Sequence, residues 1–209
     1  MAETRPVALP PAERTVGQVV AESIRFYGSR FWAVLPLGLA FVVVDVVGIG
    51  RSVNVQTLLL WACAPLFCVA YVRAAQLVLD ARPRAAAYAA ALVVFLPFPL
   101  FVRLYVLPGV AWFGVFGLAV PAAMCEGLRV PDALRRGWQL GRADLGHAIG
   151  GIATLALVYG VSKAALLVLL HTQGDQTERV AVVLADLVLS PLLFVGGAML
   201  YADQAARVE

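Results

Sequence analysis

The sequence is poor in charge: only 14% of its 209 residues are Asp, Glu, Lys or Arg. Soluble domains carry about 25%, so this chain has too few charges to cover a water-facing surface. Cysteine is scarce as well, and three residues exclude a disulfide scaffold. Cys63 and Cys68 are five apart and lack any CxxC geometry, while His147 and His171 stand at opposite ends of one apolar run. A metal centre is therefore not expected. No block of five like charges occurs, so the net charge of +3 is not the clustered basic face of a nucleic-acid binder. No phosphate loop and no nucleophile–base pair is present, and neither a cofactor nor an enzymatic activity is expected.

What the chain has instead is apolar mass, 62% of residues with a mean hydropathy of +0.87. That is too much to hide inside one core, and it predicts an all-α polytopic membrane protein. Apolar runs place spans at Trp32–Ile49, Val55–Val72, Ala85–Val102, Val106–Cys125, Ala148–Leu170 and Val180–Ala202. Each is near the 17–25 residues a helix needs to cross the hydrocarbon core. Only Arg103, Leu104 and Tyr105 separate the third from the fourth. A single helix over both would be about 60 Å long, twice the core thickness, and Pro108-Gly109 would break it. A tight hairpin and a pair of re-entrant half-spans both fit.

Residues 1–14, with Pro6, Pro10 and Pro11, read as a disordered tail rather than a signal peptide, because the long apolar run begins only at Trp32. Residues 15–209 form one membrane domain. Two interfacial amphipathic helices are predicted, over residues 15–30 and 131–142. Thr15 with Gln18 makes a capping box for the first, and Val16, Val20, Ile24, Tyr27 and Phe31 make its apolar stripe. In the second, Pro131 suits a first turn, and Leu134, Trp138 and Leu145 share a stripe. Arg135, Arg136 and Arg142 populate its polar side as candidate contacts to anionic headgroups.

Counting cations orients the chain. Arg5, Arg14, Arg25, Arg30, Arg73, Arg82, Arg84, Arg129, Arg135, Arg136, Arg142 and Arg207 fall in one set of connecting segments. Only Arg51, Arg103 and Arg179 fall in the other. By the positive-inside rule both termini are cytoplasmic.

Several motifs resemble one bacterial family. They are Leu107-Pro108-Gly109, Ala119-Val120-Pro121-Ala122, Glu126-Gly127, and Asp132-Ala133-Leu134-Arg135-Arg136-Gly137-Trp138. Glu22-Ser23-Ile24-Arg25-Phe26-Tyr27 and Tyr201-Ala202-Asp203 match its opening and closing segments. The family is the membrane domain of glycerophosphodiester phosphodiesterases with its stand-alone relatives, and the resemblance covers nearly the whole chain. Gly137 stands where a serine is usual. The resemblance implies a multi-pass protein of the bacterial plasma (inner) membrane. It implies no activity, because hydrolysis in such enzymes belongs to a separate barrel of about 250 residues.

Four ionisable residues within or beside the spans form the candidate polar site: Asp45, Arg103, Lys163 and Asp186. All fall in the outer third, where charge is costly and tends to be paired or functional. Their formal charges cancel. Lys163, the sole lysine, is expected to pair with Asp186 across a hairpin of the last two spans, or else with Asp45. A structural ion-pair network is one reading; a polar site opening outward is the other. The expected role is non-enzymatic, as a scaffolding, accessory or lipid-interacting membrane protein, with a small-solute or lipid transporter as the alternative. Expected partners are the lipid bilayer, its anionic headgroups, and a second membrane protein or another copy of the chain.

Overall fold

The structure is a computed structural model that describes residues 10–104, 106–171 and 174–208. The described residues are predominantly helical, with no strand among them. A 3-10 turn at Pro11–Glu13 precedes α1 (Val16–Ser29). α2 (Phe31–Val34), a 3-10 turn (Leu35–Gly38) and α3 (Leu39–Gly48) follow, then α4 (Val53–Ala62) and α5 (Ala64–Leu79). Next come α6 (Ala85–Phe95), α7 (Phe98–Leu104), α8 (Val106–Phe116), α9 (Ala119–Cys125) and α10 (Val130–Ala143). α11 (Leu145–Leu170), α12 (Asp175–Leu189) and α13 (Pro191–Val208) close the described fold.

Four segments are long and apolar enough to cross a membrane: Phe31–Gly48, Val106–Cys125, Leu145–Leu170 and Arg179–Val208. α4 and α5 make a fifth if their 50° bend is counted within one span. The six spans expected from hydropathy reduce to four or five because Ala85–Phe101 is a shorter apolar stretch. It is interrupted between α6 and α7, where Pro97 has no N–H to continue the ladder.

Breaks inside apolar surroundings free backbone carbonyls, which must find donors. Aromatic side chains supply them. The Trp112 indole N–H donates to the Val94 carbonyl at 2.9 Å, and that of Trp61 donates to Leu96 at 2.8 Å. The Tyr71 hydroxyl donates to the Gly117 carbonyl at 3.0 Å, at the junction of α8 and α9.

α13 is central and packs against α1, α5, α10 and α11. α6 lies on α9 and α7 on α8, so residues 85–125 fold as two antiparallel arms. α11 and α13 also run antiparallel, and they exchange knobs: Gly151 receives Leu200, and Gly196 receives Leu155. Small residues let the backbones approach closely enough for this.

The polar segments gather at one end. Arg14 pairs with Asp203 at 3.1 Å, Arg207 with Asp144 at 2.8 Å, and Arg136 with Glu126 at 3.0 Å. The Arg30 guanidinium donates to the Leu77 carbonyl at 3.1 Å. Pro11–Glu13 and Arg14 therefore belong to the fold rather than to a disordered tail, since the turn packs on α13. Residues 1–9 of that expected tail lie outside the described residues.

Both expected surface helices exist as helices, and the Thr15–Gln18 capping box is formed. Their buried faces differ from the expected stripes. α1 buries Val19, Ser23 and Tyr27 against α13 and α11, while Ile24 is exposed. Burial pushes the Tyr27 phenol above its usual pKa. α10 buries Ala133, Gly137, Leu140 and Gly141 and leaves Trp138 exposed, while Leu145, also exposed, is the first residue of α11. The reason is close approach: a Cβ at Gly137 would lie 2.8 Å from the Ala119 nitrogen, and one at Gly141 would lie 2.9 Å from a Val115 methyl. The absence of a side chain at Gly137 and Gly141 thus allows α10 to seat on α8 and α9.

Candidate functional site

Three of the four expected polar-site residues meet. α3 carries Asp45, α11 carries Lys163 and α12 carries Asp186. The register of α11 on α12 and α13 places them: His147 faces Asp203, Leu155 faces Gly196 and Lys163 faces Asp186. α3 is brought alongside α12 at Gly38. A Cβ there would lie 2.4 Å from the Leu187 carbonyl oxygen, so only glycine permits the crossing. That carbonyl is free to face Gly38 because Pro191, four residues on, has no N–H to give it.

Lys163 Nζ donates to Asp186 Oδ1 at 2.7 Å and to Asp45 Oδ2, so it serves both expected partners at once. It also lies 3.3 Å from the Tyr159 hydroxyl. Tyr159 donates to Asp186 Oδ1 at 2.5 Å, and Ser190 donates to the Asp186 backbone carbonyl at 2.6 Å. Asp186 is buried, with its Oδ2 unpartnered, whereas the Asp45 side chain keeps 36% exposure. The site therefore has a sheltered acid, a bridging ammonium and an acid open to its surroundings.

Arg103 is the exception. It lies exposed on α7, which packs mainly on α8 and α4, and it pairs with no carboxylate among the described residues. The expected four-residue set with cancelling charge is thus a triad of formal charge −1 plus a separate arginine. Its position at the end of an apolar run does not say which neighbour α7 chooses. Tyr159 was not anticipated, although it stands four residues before Lys163, one helical turn away on the same face.

The headgroup candidates also divide. Arg135 and Arg142 are exposed, whereas Arg136 is held by both oxygens of Glu126, at 3.0 and 3.1 Å. The Tyr201 hydroxyl donates to the same carboxylate at 3.0 Å. His147 is buried 3.5 Å from Asp203. No group of three or more His, Cys, Asp or Glu among the described residues could hold a metal ion.

Beside the triad is a cavity of about 280 Å³. Its walls include Phe67, Phe95, Phe98, Phe113, Phe194 and Tyr159, and these rings stand 5.7–6.3 Å apart where neighbouring centroids are measured. The Tyr159 ring faces this apolar space while its hydroxyl turns to Asp186. Comparison with known proteins adds no relative: no family model matches the chain, and neither a curated protein nor a solved structure matches it.

Proposed function

We propose that this chain is a non-enzymatic, lipid-interacting integral membrane protein of the bacterial plasma membrane, acting as a scaffold or accessory subunit. The observation that carries the reading is the chemistry around Lys163. Its ammonium is met by two carboxylates and a phenol of the protein itself, and the adjoining cavity is walled by hydrocarbon and aromatic rings. Such a space suits an apolar occupant better than a hydrated solute. In this proposal residues 85–125 supply two crossings, giving six, and α1 and α10 lie at the cytoplasmic surface with both termini. The meeting of Arg14, Arg30, Arg136 and Arg207 with their partners at one end supports that arrangement. Membership of the glycerophosphodiester phosphodiesterase membrane-domain family is part of the proposal. The convergence of Glu126, Arg136 and Tyr201, three residues of the resembling motifs, supports it.

The test is reconstitution into vesicles. A lipid-interacting scaffold retains phospholipid through mild-detergent native mass spectrometry and moves neither labelled lipid nor ions. The second reading, a transporter, is favoured by one observation: Asp186 Oδ2 is buried without a partner and can take up a proton. Lipid scrambling or proton-driven uptake that disappears in Asp186→Asn would establish that reading over the first.

A further inference from the structure

The aromatic cavity is not closed. Val106, Val110, Ala156 and Gly160 border both it and a groove of about 320 Å³ between α8 and α11. The groove continues over Leu107, Ala153, Leu157, Val161 and Ala164, of which Leu107, Leu157 and Val161 are strongly exposed. Both helices belong to segments long and apolar enough to span a bilayer, so the medium at this mouth is hydrocarbon. An apolar cavity of this size stays free of water, and an empty one forfeits the dispersion contacts of its lining. A flexible chain from the bilayer can recover them. The polar end of such a molecule also has a partner: Arg103 is exposed, lacks a carboxylate among the described residues, and precedes Val106 at the mouth by three residues.

We infer that the groove and cavity bind one phospholipid, with an acyl chain threaded between α8 and α11 into the aromatic cavity and the phosphate held at Arg103. This rests on the membrane reading above. It adds a defined site, and Gly160 makes the site separable from the fold. A Cβ built at Gly160 meets nothing within 4 Å, so a large side chain there fills the mouth without displacing backbone.

The experiment uses the full chain in vesicles of phosphatidylethanolamine and phosphatidylglycerol. These are doped with a phospholipid bearing a diazirine in one acyl chain, and crosslinks are mapped by mass spectrometry. The wild type should label Phe95, Phe113 and Phe194, which are buried and line the cavity, as well as Val168 and Leu169 on the outer face. Gly160→Phe, or Gly160→Leu if the larger variant does not fold, should lose the buried labels and keep the outer ones. Val168→Phe, outside the mouth, should leave the buried labels unchanged. Arg103→Gln should lower cavity labelling by the phospholipid about fivefold, and leave labelling by a diazirine diacylglycerol unchanged. Labelling of Val168 and Leu169 alone in the wild type would overturn the site and leave the membrane reading standing. Buried labels that persist in the Gly160 variants would likewise overturn it. A chain that does not enter vesicles and labels nowhere would overturn the membrane reading itself.

Discussion

At the scale of single residues, Lys163 bridges the carboxylates of Asp45 and Asp186. Its two acids differ in shelter, and that difference predicts different costs. Asp186 is fully buried and depends on Lys163 and Tyr159, whereas Asp45 is about a third exposed. Lys163→Met should therefore destabilise the protein by about 3 kcal/mol, because it strands a buried carboxylate. Adding Asp186→Leu should recover more than half of that loss, and adding Asp45→Asn should recover little. Asp45→Asn alone should cost under about 1 kcal/mol, as for an ion pair near solvent. Thermal unfolding in detergent of the singles and doubles reads the pattern; strictly additive losses for Lys163 and Asp186 would exclude their pairing. In the same series Tyr159→Phe should cost about 1 kcal/mol, the loss of one hydrogen bond to a charged acceptor. That cost should vanish once Asp186 is leucine.

At the scale of elements, the fold depends on where small residues allow helices to touch. α10 is seated by Gly137 and Gly141, with Leu140 buried between them, rather than by Trp138. Gly137→Val should therefore lower stability by about 2–3 kcal/mol, the range for overpacking a tight contact. Trp138→Ala should cost about 1 kcal/mol, since that ring is 45% exposed and chiefly stacks on Phe116. The reverse order would mean that the Leu134–Trp138 stripe, not the glycine face, holds the helix. The same geometry directs what α10 offers to the bilayer. Nitroxide labels at Trp138 should report lipid and one at Gln139 should report water, with Arg135 and Arg142 left free to meet headgroups. Arg136 is already committed to Glu126.

At the scale of the whole molecule, the polar segments collect at one end of the bundle and the Lys163 triad lies towards the other. α11 connects them, running from His147 beside Asp203 to Lys163 beside Asp186. The proposed arrangement of six crossings with cytoplasmic termini predicts that reporter fusions at Ala81 and Arg129 read cytoplasmic, and those at Asn54 and Gly174 external. A cytoplasmic reading at Asn54 together with an external one at Ala81 would reject the topology.

Composition alone determined the apolar, helical class of this protein. With 14% charge and 62% apolar residues, backbone polar groups must be satisfied within helices. Spacing also pointed to Asp186 as a partner for Lys163, because two consecutive apolar helices joined by a short loop lie antiparallel and at matched depth, but it left Asp45 as the alternative, and the structure uses both. The capping box at Thr15 was legible for the same reason: it is local chemistry. What the tertiary structure decided was every choice between neighbours. Hydropathy could not register that Pro97 divides residues 85–104 into two short helices, or that two indoles cover the carbonyls that the break exposes. Nor could it show that α7 turns Arg103 away from the triad, or that α10 buries glycines while its tryptophan stays outside. A hydrophobic stripe records which side chains avoid water. In a bilayer both lipid and protein satisfy that preference, so the inward face goes to the residues small enough for two helices to meet.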